Sequence, residues 1–214
     1  MFHVGLLEIN FNCNKHLKIV LVVFTRSHII ISYNENQVTI VHYTKPHSKL
    51  NLPQKLIKLA PKVQLADLCG PTGRRLERHL SCNKSENMLL TWWYSTRNEV
   101  YPWSPSVKDE DRANIHIYSL EEFKLELLYY YQTEFDLVTV KFSNIRPNLI
   151  WLIEQKVSKK GEVVIEYSSY EIVKKNFKKV SNVSIPLQTQ ICCHSISPDE
   201  EKLVLGKITF WFLT

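Results

Sequence analysis

The segment from Ile185 to Gly206, IPLQTQICCHSISPDEEKLVLG, decides how this chain folds. Its apolar run Ile191–Ile196 is short and bounded by polar residues, which suits a strand better than a helix. Ser197-Pro198-Asp199 then turns the chain, because proline fixes φ near the value a tight turn needs and the aspartate accepts hydrogen bonds from nearby backbone N–H groups. Leu203–Leu205 is a second apolar run, and Gly206 is expected to take the positive φ by which the chain leaves it. Ile208–Phe212 forms a third, with Trp211 expected to pack between neighbouring strands. The adjacent Cys192 and Cys193 would point to opposite faces of a strand, one of them inward as a small hydrophobe.

The same rhythm runs back to residue 17. Leu17–Phe24, His28–Tyr33 and Val38–Tyr43 read as strands, with Asn34-Glu35-Asn36 as a hairpin turn. Residues 44–71 are rich in Lys and Pro and keep no single period, which predicts a loop with one short helix near Gln54–Leu59. Strand signals resume at Arg74–Cys82 and Met88–Tyr94. A polar connection with Pro102 and Pro105 follows, and then Ala113–Leu120, whose alternation sets Ile115 and Ile117 against His116 and Tyr118. Leu125–Gln132, Leu137–Phe142, Leu149–Glu154, Val163–Tyr170 and Phe177–Ile185 complete the series, with a turn at Lys159-Lys160-Gly161. So many short strands with so little helix predict an all-β sandwich, barrel or propeller. Residues 1–16 match no pattern and stand apart from the β-rich 17–214.

Composition sets the outer limits. Hydrophobic residues make up 44% and charged residues 22% of the 214, a globular balance rather than a disordered one. Only 5 Gly are present, so turns must rely on Asn, Asp, Ser and Pro. The net charge of +6 would favour acidic partners, anionic lipid or nucleic acid, although surplus lysine is ordinarily a solvated face. Cys13, Cys69, Cys82, Cys192 and Cys193 hold no Cys-x-x-Cys pair, and with no secretory signal they point to reduced thiols in the cytoplasm. The sequon matches at Asn83 and Asn182 are chance on the same ground.

For catalysis the chain offers little. Gly70-Pro71-Thr72-Gly73-Arg74 lacks the Gly-Lys-Ser/Thr ending of a phosphate loop, and neither a Gly-x-Ser-x-Gly elbow nor a His-Glu-x-x-His pair occurs. No cofactor and no metal site is expected, and the chain is read as a binding platform rather than an enzyme.

The Ile185–Gly206 segment with its KITFWF continuation resembles a WD-repeat blade core. It departs from that pattern where Lys207 follows Gly206 directly and Ile208 already begins an apolar run. The expectation is a fragment of about two to three antiparallel blades, incomplete as a propeller, whose open faces would associate or melt without cooperativity.

Between Gly70 and Gly206 the chain resembles the Fritz family, also called WD-repeat-containing planar cell polarity effectors. GPTGRRLERHLSCN, MLLTWWYS, YPWSPSVKDEDRANIHIYS and QTEFDLVTVKF carry the likeness together with the blade segment. The resemblance implies a scaffold in planar cell polarity and ciliogenesis that acts with Inturned- and Fuzzy-like proteins and is linked to septins and actin. It implies a place in the cytoplasm, on the cytoskeleton, at the cilium base or axoneme and at the plasma-membrane periphery. The runner-up is a basic β domain that binds a peripheral membrane or nucleic acid; nucleic acid is not expected as a partner.

Candidate interface residues follow. Trp103 sits between Pro102 and Pro105, where an exposed ring would anchor a partner and a folded-back loop would bury it. Asp111 and Arg112 lie in a mixed-charge cluster, where a salt bridge tying the loop to the next strand is the structural alternative. Lys174, Lys175, Lys178 and Lys179 flank Asn176-Phe177 and would meet anionic headgroups if they were more than a solvated hairpin tip. Trp92 and Trp93, with Ser197, Pro198, Asp199, Gly206 and Trp211, are assigned to blade structure, the adjacent tryptophans facing opposite sides of one strand.

Overall fold

The computed structural model describes residues 19–33, 37–42, 56–59, 78–94, 108–121, 124–173, 176–187 and 191–207. These residues form antiparallel meanders in which each strand pairs with the strand before it. The first sheet holds β1 (Ile19–Phe24), β2 (His28–Tyr33), β3 (Gln37–His42) and β4 (Leu56–Lys58). The second holds β5 (His79–Cys82), β6 (Met88–Trp92), β7 (Ile115–Glu121) and β8 (Lys124–Tyr131). In the third are β9 (Asp136–Phe142), β10 (Leu149–Val157), β11 (Val163–Val173) and β12 (Asn176–Leu187). β13 (Ile191–Ile196) and β14 (Leu203–Lys207) pair as a two-stranded ribbon. The helix α1 (Asp109–Arg112) is a single turn ahead of β7. Among the described residues no helix is long and apolar enough to cross a membrane.

Period-two alternation arranges the sheets. On β7, Ile115 and Ile117 face one way and Tyr118 and Leu120 lie in a different core. The first pair joins Met88 and Leu90 against Leu137, Val140, Phe142, Ile150 and Leu152 of the third sheet. Tyr118 and Leu120 join Leu80 and Leu89 against Ile30, Val38, Ile40 and Leu59 of the first. Ile153, Val163 and Ile165 lie beneath the half-buried Ile191, Leu203 and Leu205 of the ribbon. Each apolar side chain of this kind contributes about 1.5–3 kcal/mol when fully buried, so the sheets are held face to face by the residues that alternate along their middle strands.

The first strands touch in series, β1 against β5 and β5 against β9, whereas β12 is mostly exposed. First strands therefore lie inside and fourth strands at the rim, which is the wedge arrangement of propeller blades. Among the described residues the expected two to three blades are three, with a two-stranded fourth sheet beside them.

The helix expected near Gln54–Leu59 is replaced by β4. Thr39, Val38 and Gln37 of β3 pair with Leu56, Ile57 and Lys58, and Leu59 is buried. Three strand residues are too few to display a period, and tertiary pairing decides their conformation. The cysteine expectation also fails, since Cys192 and Cys193 are both exposed at a register shift in β13. The irregularity removes the strict in–out alternation on which that expectation rested.

A candidate functional site in the second blade

Three connected features of blade two hold the ends of its long β6–β7 connection. Arg78 precedes β5 and is buried, its Nη1 donating to Thr91 Oγ1 on β6 at 3.0 Å. Its guanidinium carbon lies 5.9 Å from the centre of the Trp93 ring, and that ring is fully buried beside His116 at 5.6 Å between centroids. Burial lowers the Arg78 pKa to about 10, with Tyr118 acting in the opposite sense, so the guanidinium remains charged at neutral pH.

His116 is the second feature. Its Nε2 lies 2.6 Å from the Glu110 carbonyl oxygen of α1, which only a protonated Nε2 can satisfy. Burial lowers its pKa to about 3; the bond to Glu110 opposes that shift and the charge of Arg78 adds to it. The imidazole is therefore neutral and pins α1 to β7.

Asn114 is the third. Its Oδ1 accepts from the Thr133 N–H at 2.9 Å, and its Nδ2 donates to Thr133 Oγ1 at 3.1 Å and to the Trp93 carbonyl at 3.4 Å. The Trp93 N–H returns to the Asn114 carbonyl at 3.1 Å. The connection from Tyr94 to Lys108 is thus fixed at both ends, by Trp93 where it leaves and by α1 and Asn114 where it comes back. Trp103 belongs to this connection and lies outside the described residues. Among the described residues no cluster of three metal-ligating side chains forms.

The other sequence candidates are dispersed. Asp111 is buried within α1, so it belongs to the interior and not to an exposed interface; Arg112 is half-buried. Lys178 and Lys179 are exposed on β12. Lys178 is opposite Glu171 in the strand register, and Lys179 Nζ stands 5.8 Å from the centre of the Tyr170 ring. Lys174, Lys175 and Trp211 lie outside the described residues. Trp92 is half-buried and stacks on His79 at 5.4 Å while Trp93 is fully buried, so both tryptophans are packed in the blade. Tyr94 meets His79 edge-on at 4.9 Å and is 45% exposed, which extends this aromatic group to the surface.

In the last turn, Ser197 Oγ donates to Asp199 Oδ1, which also accepts from the Glu201 N–H at 3.2 Å. The Lys202 N–H reaches Ser197 Oγ at 2.9 Å. Gly206 is not where the chain takes positive φ: it lies within β14 opposite Cys193, and Glu200 is the left-handed residue of the hairpin. A Cβ at Gly206 would stand 2.2 Å from Cys193 Sγ, so a side chain fits there only if that thiol moves. Gly206→Ala is expected to lower the unfolding midpoint by an amount equivalent to about 1 kcal/mol, since the exposed thiol must swing to another rotamer. A Gly206→Ala, Cys193→Ala double variant should recover most of the loss, and a denaturant titration of the cycle measures the coupling.

Sequence reasoning passed over Arg78 and His116. A charged residue in Glu77-Arg78-His79 looks like a solvated face, and the one available signal was His116 alternating between Ile115 and Ile117.

Successive four-stranded meanders with first strands inside, and the Ser-Pro-Asp hairpin, are those of a β-propeller fragment of the WD-repeat type. A family model described as WD repeat-containing and planar cell polarity effector protein Fritz matches residues 13–209, and the chain belongs to that family. It is 40% identical over 185 residues to the fritz protein of Drosophila melanogaster, covering 86% of this chain and 20% of that one. The Xenopus laevis homolog is 35% identical over 188 residues, with 86% and 27% covered. The Homo sapiens homolog is 29% identical over 188 residues, with 85% and 25% covered. The chain thus spans between 20% and 27% of the length of these relatives. Among solved structures, a candidate 6-phosphogluconolactonase from Bacteroides fragilis aligns with a TM-score of 0.48 and 10% identity over 88% of this chain and 47% of that one. That likeness is too slight to bear on fold or activity.

Proposed function

We propose that this chain is a non-enzymatic part of a planar cell polarity effector, a scaffold that works by holding other proteins. Membership of the Fritz family is the observation that carries this reading. The partners proposed are Inturned- and Fuzzy-like proteins, with septins and actin as further links and cilium assembly as the process served. The places proposed are the cytoplasm and cytoskeleton, the cilium base or axoneme, and the plasma-membrane periphery.

The second blade supports a binding role. The 95–107 segment springs from two pinned ends, Trp93 on one side and α1 with Asn114 on the other. Trp103, carried in this connection, is the proposed anchor.

Tagged chain expressed in ciliated cells is expected to recover Inturned- and Fuzzy-like proteins at moderate salt, and Trp103→Ala to reduce the yield severalfold. Tight, steeply salt-dependent capture of anionic liposomes or DNA, with those proteins absent, would refute the scaffold reading in favour of a basic membrane- or nucleic-acid-binding domain.

A further inference from the structure

Two non-glycine residues among those described have positive φ, Glu86 at 56° and Glu200 at 58°. They occupy the same place in two hairpins. Glu86 lies in the β5–β6 turn, its N–H bonded to the Asn83 carbonyl, as Glu200 lies in the β13–β14 turn with its N–H on the Ser197 carbonyl. In this region the Cβ crowds the backbone, and glycine is the residue that avoids the penalty. Glutamate at both positions needs a reason.

The reason is in the neighbouring blade. Glu86 Oε1 accepts from the Arg26 N–H at 2.6 Å, and its Oε2 accepts from the Ser27 N–H at 3.0 Å and Ser27 Oγ at 2.7 Å. Those donors belong to the β1–β2 turn of the first blade. Glu200 does the same one pair of blades on. Its Oε1 accepts from the Asn144 N–H at 2.5 Å, and its Oε2 from Ser143 Oγ at 2.6 Å and Trp151 Nε1 at 2.8 Å. Asn144 and Ser143 lie in the β9–β10 turn of the third blade. In both cases a backbone N–H binds Oε1 and a serine hydroxyl binds Oε2, with a third donor on Oε2 that is the Ser27 N–H in one and the Trp151 indole in the other. Blades two and three are joined at the same level differently, by Asn83 Nδ2 donating to the Pro147 carbonyl at 3.1 Å.

We propose that Glu86 and Glu200 are inter-blade clasps, carboxylates held in the left-handed turn so that the first hairpin of one blade grips the first hairpin of the blade before it. Backbone strain at each turn is retained because only this conformation aims the carboxylate across the gap. Both carboxylates are held below the usual range: burial works against ionisation, and the bonds from Arg26, Ser27 and Thr25, or from Ser143, Trp151 and Asn144, outweigh it.

The sign of one substitution decides between a clasp and a tolerated residue. Glycine relieves the backbone at position 86, so without a clasp Glu86→Gly raises the melting temperature of the full chain. With one, it lowers the melting temperature and speeds amide exchange at Arg26 and Ser27 at least tenfold, as read by NMR. Glu86→Gln retains length and turn but leaves one acceptor oxygen where two were used, so its amide nitrogen must face either the Arg26 N–H or the two donors of Ser27; it should speed exchange at Arg26 or Ser27 even if the glycine variant does not fold. Glu200→Gly should do the same at Asn144. A higher melting temperature for Glu86→Gly, or unchanged exchange at both Arg26 and Ser27 in Glu86→Gln, would overturn the proposal.

Discussion

Replacing Trp93 with alanine is expected to destabilise the chain by about 3–5 kcal/mol, the range for removing a buried large aromatic. The ring is fully buried between two parts of blade two, and the main chain that carries it is tied to a third. Arg78 lies over it, His116 lies beside it, and its backbone N–H is bonded to Asn114. Alanine leaves a cavity in which a buried cation has lost an aromatic face worth roughly 0.5–2 kcal/mol. Trp93→Phe retains a face under Arg78 and should lose less. Equilibrium unfolding in denaturant with fluorescence and circular dichroism measures both. If the two variants lose equally little, the indole does not organise this blade. Because Trp93 also begins the 95–107 connection, Trp93→Ala is further expected to weaken partner recovery beyond its effect on stability.

Acid should unfold the same region by a separate route. His116 titrates near 3 in the folded chain against an ordinary 6.5, so the folded state binds fewer protons than the unfolded state between those values. Its contribution is unchanged above pH 6.5 and turns against the fold as pH falls below it, at about 1.4 kcal/mol per pH unit. At pH 5 the expected loss is about 2 kcal/mol. His194 is lowered too, by burial and then by Lys141, and acts in the same direction. The control is therefore His116→Gln, whose stability should change less between pH 7 and pH 5 whatever its absolute value. Equal slopes for the variant and the parent would show that the imidazole does not carry the effect. The clasp carboxylates do not enter the comparison between pH 7 and pH 5. Their folded pKa values are depressed, so their contribution is present above about 4.5 and is lost only below it.

The blades were legible where short apolar or alternating runs were bounded by polar residues. His28–Tyr33 and Ile191–Ile196 coincide with strands β2 and β13, and the opposition of Ile115 and Ile117 to Tyr118 became the opposition of two cores. Legibility failed where neighbours decide. Leu56–Lys58 is a strand because β3 lies beside it, and its own residues carry no period. Gly206 was given a turn role, yet the obstacle to a side chain there is Cys193, a residue on another strand. The second-blade cluster stayed hidden for a related reason. A charge that will be buried and a charge that will be solvated have the same letter in a sequence, and only the cross-strand partner of Arg78, Thr91, tells them apart. Glu86 and Glu200 were invisible as a pair because nothing in local composition marks a glutamate as left-handed.

Every described core joins sheets that are consecutive in the chain. This sets a timetable for synthesis. A ribosome delivers the residues of one meander together, so the strands within a blade meet across short loops soon after they emerge. The second blade can cover Tyr118 and Leu120 against the first as soon as both are out, while Leu90, Ile115 and Ile117 remain uncovered until Leu137–Leu152 arrives. The nascent protein therefore always carries one wet apolar face, belonging to whichever blade was made last. Slow codons or a pause just after residue 131 would prolong the exposure of that face, and the interval is the one in which a holdase chaperone has most to bind.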